Sequence, residues 1–297
     1  MIGLSLAMLP ANDLTQARDQ FWRLQERFAL TACEVQTETA TFPAALPPWD
    51  GHALAIGQSL RQTVSVLGLH LPYVDLNPVS FHPRIAAASQ EILLEAIDAA
   101  AEIEADYVVF HVRNGSLPRD RKEGFADWLP ILRKLNGRAT DKGLRFLLEN
   151  ADDLRWIPDV LELATDAGVD ICLDVGHLFE RVYETPDWGV LQRVAARLQD
   201  IASPWPFLLP SMLPAAQVGG IAGLLTTHGK RVGCVHLHNH DGRSAHRPLA
   251  QGKIPWQKLA GHADQLRDIP IILEADYRKC SYECLEHDLS AVTRLLT

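Results

Sequence analysis

The feature that most constrains the fold of this chain is a regular alternation of short β-rich runs with longer segments of helical periodicity. The eight β-rich runs are Ile2–Met8, Ala32–Gln36, Val66–Leu71, Tyr107–His111, Arg145–Leu148, Asp170–Asp174, Val232–His238 and Ile269–Glu274. Apolar residues recur at helical spacing between them, as in residues 85–100. Eight strand–helix repeats in 297 residues predict an α/β fold, a single (β/α)8 TIM barrel over residues 1–297, in preference to a doubly wound open sheet.

One segment interrupts this regularity just before the seventh strand. Residues 201–220 are rich in Pro, Trp and Leu and end in Gly219-Gly220. We interpret them as an inserted loop. Its apolar side chains are expected to pack on the barrel, on a second copy of the chain in a homodimer, or on a bulky ligand.

Charge and hydropathy exclude several classes of function. The 28 Lys and Arg against 37 Asp and Glu give a net charge of −9, with no basic block, which argues against DNA as the substrate. No apolar run approaches the ~20 residues of a spanning helix, so no membrane association is expected. The opening residues 1–9 lack a basic region typical of signal peptides, and the five cysteines form no CxxC pair. A cytoplasmic protein is therefore expected.

Polar residues concentrate at the C-terminal ends of six successive predicted strands. They are His70, His111, Glu149 with Asn150, Asp174, His236 with His238, and Glu274. In a barrel these ends meet at one mouth, where active sites lie. A single strand-end histidine is more often a hydrogen-bonded structural residue. Six coinciding groups would repel one another at a cost of several kcal/mol unless cations neutralise them. Imidazole and carboxylate donors together suit Zn²⁺, Mn²⁺ or Fe²⁺, so the pattern predicts a metal centre.

Strand parity indicates that this ring of polar residues points into the barrel. Counting back two positions from each gives residues suited to a packed interior: Gly68, Val109, Leu147, Cys172, Cys234 and Ile272. Parity does not separate His236 from His238, because both lie on the same face.

The motifs around these residues also carry a family resemblance. In order along the chain they are Leu69-His70-Leu71-Pro72-Tyr73, Phe110-His111, Leu148-Glu149-Asn150, Leu173-Asp174-Val175-Gly176-His177, His236-Leu237-His238-Asn239 and Leu273-Glu274. Across about residues 66–277 the chain resembles the xylose-isomerase-like TIM-barrel superfamily. This superfamily includes sugar isomerases and epimerases and the apurinic endonuclease IV family, also called AP endonuclease family 2.

The resemblance implies a set of metal ligands. Epimerase-type members bind one metal through a quartet that matches Glu149, Asp174, His236 and Glu274. Endonuclease-IV-type members add a second metal, matching His70, His111 and the bridging Glu149. A third metal in those members matches His177 and His246, but Ser244 stands where the family has aspartate. Asp241 is the alternative third ligand. The resemblance therefore implies two divalent ions, Zn²⁺ or Mn²⁺, and an incomplete third site.

Two reactions compete for this ring of residues. The two extra histidines, His70 and His111, favour a metal-dependent hydrolase of the phosphodiesterase type, acting at a dinuclear site on a small or medium-sized phosphorylated substrate. The alternative is a single-metal sugar or sugar-phosphate isomerase or epimerase in which Glu149 and Glu274 exchange a proton with the substrate. A non-catalytic metal-binding barrel is the third hypothesis.

Glu149 and Glu274 are the candidate catalytic residues in both enzymatic hypotheses. Tyr73, Asn150 and His238 are the candidate substrate contacts.

Overall fold

Eight parallel strands close into a barrel in the computed structural model of the protein. The structure describes residues 1–37, 49–112, 121–150, 157–178, 220–241 and 244–296. The strands are β1 (Ile2–Ser5), β2 (Ala32–Gln36), β3 (Val66–His70), β4 (Tyr107–Phe110), β5 (Arg145–Glu149), β6 (Asp170–Asp174), β7 (Val232–Leu237) and β8 (Ile271–Leu273). Each strand pairs with the next in the sequence, and β8 pairs with β1. The predicted barrel is therefore confirmed.

Helices connect the strands on the outside of the barrel. Those in the described ranges are α1 (Leu14–Phe28), α2 (Gly51–Arg61), α3 (Pro83–Glu102), α4 (Arg121–Asp141), α5 (Ile157–Ala167), α6 (Gly220–His228), α7 (Ala263–Leu266) and α8 (Tyr282–Leu296). Local sequence explains where several begin. Asp13 and Asp50 cap α1 and α2, because their carboxylates accept hydrogen bonds from the otherwise unpaired amides of Gln16 and Ala53.

The predicted strand boundaries are close to the observed ones and deviate at the ends of the chain. The prediction extends the first strand to Met8, whereas Leu6–Met8 form a 3-10 turn. The last strand begins at Ile271 rather than Ile269, because the Ile269 amide closes a turn onto the Leu266 carbonyl and Pro270 has no amide hydrogen to donate.

The interior of the barrel is a small core separate from the layer between strands and helices. It consists of Ala32, Tyr107, Val109, Leu147, Cys172, Cys234 and Ile272. Five of these residues are predicted, from the alternation of side chains along each strand, to lie on the inner face of the barrel. Gly68, the sixth, also faces inward, since a Cβ there would lie 2.2 Å from the Tyr107 ring. The polar ring at the mouth is stacked on this core, one pleat higher along each strand.

The described residues bear only in part on two further expectations from the sequence. The predicted insertion at 201–220 lies outside the described residues, apart from Gly220, the first residue of α6. Among the residues that the structure does describe, no helix is both long and apolar enough to cross a membrane.

Candidate metal centre

The strand ends bring six predicted metal ligands to the same mouth of the barrel. These are His70, His111, Glu149, Asp174, His236 and Glu274, and all six are buried. The remaining two, His177 and His246, are half-buried; His177 lies in the helical turn at 175–178 that follows β6, and His246 lies in the loop after β7. Residues that are far apart in the sequence therefore become neighbours, because parallel strands end at one edge.

Four of these side chains form one group of candidate metal donors. Glu149, Asp174, His236 and Glu274 each offer a nitrogen or oxygen atom, and these atoms all lie within 4.8 Å of one another. His236 Nδ1 is 3.0 Å from Glu274 Oε2 and 3.6 Å from Glu149 Oε1. We call these four residues the quartet. Their donor set, one imidazole and three carboxylates, suits a divalent cation such as Zn²⁺ or Mn²⁺.

A second group of donors shares one member with the quartet. His70, His111 and Glu149 also offer atoms within 4.8 Å of one another. His70 Nδ1 lies 2.9 Å from the Leu71 carbonyl, which can only accept, so Nδ1 carries the proton. The other nitrogen, Nε2, faces Glu149 Oε2 at 3.3 Å. Glu149 thus stands between the two groups, one oxygen toward each.

The surroundings of the quartet fit a bound cation. Asp174 Oδ2 and His236 Nδ1 are buried and make no hydrogen bond to any described residue. Within the same part of the chain, no Lys or Arg forms an ion pair with Glu149, Asp174 or Glu274. Buried carboxylates without such partners are costly unless a positive charge compensates them. A divalent ion held by these donors would supply that charge.

The pKa values of the buried groups also indicate that this site favours positive charge. Burial favours the neutral form of Glu149, yet His236 and His70 outweigh burial and hold its pKa well below the usual range. Burial likewise opposes charge on His70, but Glu149 raises its pKa to about 9. For Asp174, burial is again outweighed, because His238 and His177 lower the pKa to about 2. The carboxylates therefore remain charged and raise the pKa of His70 and His236 against the effect of burial.

A third cluster contains the two half-buried histidines. His177, His238 and His246 offer ring nitrogens within 4.8 Å of one another. The predicted alternative ligand, Asp241, instead accepts hydrogen bonds from Arg247 Nε at 2.8 Å and the Ser244 amide at 2.9 Å. The structure thus brings His238, not Asp241, to His177 and His246.

His238 connects this histidine cluster to the quartet. Its Nδ1 lies 3.0 Å from the His246 amide, which donates to it, and 3.2 Å from the Asn239 carbonyl. Nε2 lies 3.1 Å from Asp174 Oδ1. His238 therefore stands between this cluster and a member of the quartet.

Two of the predicted substrate contacts are engaged with Asp174. The Asn150 side chain donates to the Asp174 carbonyl and accepts from the Asp174 amide, both at 2.8 Å. His238 faces the Asp174 carboxylate, as described above. Their contact with substrate stays a prediction. In this structure both residues fix the strand end that carries a quartet ligand.

Tyr73, the third predicted substrate contact, lies at the rim of the mouth. Its ring centroid is 4.2 Å from that of His111 and 5.8 Å from that of His70. The side chain is half-buried, and its ring packs on these two histidines. This position lies beside the second donor group, and the contact with substrate remains a prediction.

The residue that sequence reasoning did not place in the site is Glu34. It is buried in β2, and its Oε2 lies 3.1 Å from His236 Nε2. The available signal was a carboxylate in the middle of an apolar strand, Ala32-Cys33-Glu34-Val35, where an unpaired charge would be costly. Its partner could not be read from the sequence, because it lies 202 residues away.

Comparisons with known proteins agree with this architecture. A curated relative, "Probable endonuclease 4" from Mycobacterium ulcerans, is 30% identical over 124 residues, which are 40% of this chain and 48% of that protein. The chain thus spans less than half of the length of the curated relatives that it matches first.

Solved structures match over nearly the whole chain. A D-tagatose 3-epimerase-like protein aligns with a TM-score of 0.71 at 18% identity, covering 99% of this chain and 96% of that one. The TTHB071 protein from Thermus thermophilus, soaked with ZnCl₂, aligns with a TM-score of 0.59 at 24% identity, covering 99% and 97%. Identities this low show the shared fold alone.

A family model described as "Xylose isomerase-like TIM barrel" matches residues 26–293, which contain every donor of the three clusters. The match includes seven of the eight strands, from β2 to β8. The chain belongs to the xylose isomerase-like TIM barrel family.

Proposed function

We propose that this protein is a divalent-metal-dependent hydrolase that cleaves a phosphoester or phosphodiester at a dinuclear centre. The observation that carries the proposal is the shared position of Glu149. This residue belongs both to the quartet and to the group with His70 and His111. A bridging carboxylate with separate ligands on each side is the arrangement that a two-metal site requires.

The residues around such a site would have different roles. His70 and His111 would hold one ion with Glu149, and the other quartet members would hold the second. Two divalent ions bound in this way supply an activated water and neutralise charge that develops on a phosphoryl group. Asn150 and His238 orient Asp174 through the contacts described above. Tyr73, whose ring lies beside His111, would contact the substrate.

The substrate class follows from the charge of the chain. With a net charge of −9, long-range attraction of a nucleic acid is absent, and a small or medium-sized phosphorylated molecule is favoured. Local cations at the quartet would attract the phosphate itself. We therefore propose a small phosphoester rather than DNA, although one relative is named a probable endonuclease.

A second candidate is a single-metal sugar isomerase or epimerase. The observation that favours it is the complete quartet, in which Glu149 and Glu274 both approach His236 Nδ1. Two carboxylates so close together could remove and return a proton on a carbon next to a carbonyl. Under this hypothesis His70 and His111 would bind substrate hydroxyls. Several structural neighbours are named as sugar epimerases, at low sequence identity.

The deciding experiment is metal stoichiometry, measured by elemental analysis after purification without chelator and dialysis. We expect two equivalents per chain in the wild type and one fewer in His111→Ala. The control is His52→Ala, which removes an exposed histidine on α2 whose ring forms a hydrogen bond with Thr15 and which belongs to none of the donor groups described above. It should keep both equivalents.

Activity measurements complete the test. Bis(4-nitrophenyl) phosphate serves as a generic phosphodiester, and D-tagatose and D-fructose serve as ketoses whose epimers are separated by chromatography. Loss of diester hydrolysis in His111→Ala would support the dinuclear hydrolase. A single equivalent that His111→Ala leaves unchanged, together with ketose epimerisation, would replace the hydrolase by the epimerase. Bound metal with neither activity would favour a non-catalytic barrel.

A further inference from the structure

A buried carboxylate beneath the quartet is tied to one of its members. Glu34 Oε2 lies 3.1 Å from His236 Nε2, and the same oxygen accepts a hydrogen bond from the Tyr107 hydroxyl at 3.1 Å. Glu34 and His236 have no exposed side-chain surface. The two bonds fall inside the barrel, below the mouth, where water does not compete.

This contact determines which nitrogen of His236 faces the mouth with a lone pair. An ionised carboxylate can only accept hydrogen bonds, so in the contact with ionised Glu34 the proton belongs to His236 Nε2. The neutral ring then carries its lone pair on Nδ1. That atom is the one that lies 3.0 Å from Glu274 and 3.6 Å from Glu149, within the quartet.

The interior core is shaped to hold Glu34 in this position. The Tyr107 ring fits inside the barrel because residue 68 is glycine, and a Cβ there would lie 2.2 Å from the ring. The Tyr107 hydroxyl also lies 3.4 Å from Cys234 Sγ on β7. Tyr107 therefore bridges the interior and fixes the Glu34 carboxylate from below.

We propose that Glu34 and Tyr107 are positioning residues that hold His236 in the tautomer and orientation needed to bind a divalent cation at the quartet. Glu34 also adds a negative charge behind the ring, which makes Nδ1 a stronger donor. The inference rests on the metal-binding part of the proposed function and is independent of which reaction the centre catalyses.

Metal affinity tests this role. Mn²⁺ and Zn²⁺ dissociation constants are measured by competition with a chromophoric chelator for the full-length wild type and for Glu34→Ala, Glu34→Gln and Tyr107→Phe. Loss of an outer partner of a metal-bound histidine typically weakens metal affinity by about 10–100-fold, and we expect a loss in this range for Glu34→Ala. Glu34→Gln keeps an oxygen that can accept from Nε2, so it should recover part of the affinity.

A matched control separates positioning from general destabilisation. Tyr277 is also buried, and its hydroxyl donates at 3.0 Å to Oδ2 of Asp288 on the outer helix α8. Tyr277→Phe removes the same atom as Tyr107→Phe and should lower the melting temperature to a similar extent. We expect a several-fold loss of metal affinity for Tyr107→Phe and none for Tyr277→Phe.

The outcomes separate this inference from the proposed function. A wild type that binds metal but does not hydrolyse phosphodiesters would overturn the hydrolase and leave this test intact. Wild-type affinity in a folded Glu34→Ala, or equal affinity in Tyr107→Phe and Tyr277→Phe, would overturn the positioning role. If Glu34→Ala does not fold, the comparison of the two tyrosine variants decides. A wild type that binds neither ion would overturn both.

Discussion

At the scale of single residues, Gly176 shows how little room surrounds the candidate centre. A Cβ at this position would lie 1.8 Å from His238 Cε1, so any side chain must displace the ring that faces Asp174. The glycine of the Asp174-Val175-Gly176-His177 motif is thus explained by the close approach of a histidine that follows β7, and its backbone angles play no part.

The corresponding prediction concerns Gly176→Ala. We expect a folded protein destabilised by about 1–3 kcal/mol, because the added methyl overpacks the site, with less metal retained at the quartet. Gly137→Ala is the control, since nothing lies within 4 Å of a Cβ there and α4 should gain about 0.5–1 kcal/mol. Denaturant unfolding and elemental analysis give both readouts. Unchanged metal content and stability in Gly176→Ala would contradict this account of His238.

Glu149 is the residue that the two main donor groups share. Glu149→Gln removes the charge that both groups use, so we expect metal affinity and turnover to fall by more than about 100-fold, beyond the loss typical of an outer-shell partner. The exposed Glu162→Gln on α5 is the matched control and should change neither quantity. Chelator competition and turnover assays measure the effect. Retained activity in Glu149→Gln would remove the basis of the whole site.

At the scale of elements, α8 is attached to the rest of the barrel through a buried carboxylate. Asp288 Oδ2 accepts from the Leu249 amide at 2.7 Å and from the Tyr277 hydroxyl at 3.0 Å. Leu249 lies in the segment after β7, and Tyr277 lies in the segment after β8. The helix is therefore anchored to the segments that follow β7 and β8.

Asp288→Ala tests this attachment. The change leaves two buried donors without an acceptor, and we expect the free energy of unfolding to fall by about 2–4 kcal/mol. Asp264→Ala, which breaks an exposed ion pair with Arg267, should cost less than about 1 kcal/mol. Urea unfolding compares the two variants. Equal, small losses would show that the carboxylate does not anchor the helix.

At the scale of the whole molecule, the donor ring joins strands from around the barrel. The quartet draws on β5, β6 and β7 and on the residue after β8, and the second group adds β3 and the residue after β4. A cation bound at such a ring links distant parts of the sequence in the folded state only. At concentrations well above its dissociation constant, it should therefore stabilise the fold in proportion to the logarithm of its concentration.

This linkage predicts the effect of metal removal. Treatment with EDTA should lower the melting temperature, and Zn²⁺ or Mn²⁺ at a hundred times the dissociation constant should restore about 2.7 kcal/mol of stability. Differential scanning calorimetry with and without the ion measures the shift, and Glu149→Gln provides a control in which it is largely lost. A melting temperature independent of chelator and metal would rule out a stabilising cation.

The sequence by itself determined the barrel and the ring of polar residues at its mouth. Both are consequences of periodicity. The strand–helix alternation sets the number of strands in the barrel, and the pleat of each strand sets which side chains share a face. Only the tertiary structure decided how the ring residues are bonded. The pairing of Glu34 with His236, the contact of His238 with Asp174 and the two hydrogen bonds of Asn150 to the Asp174 backbone join different strands. Such contacts depend on the distances and rotamers created when the barrel closes, and no local pattern in the chain encodes them.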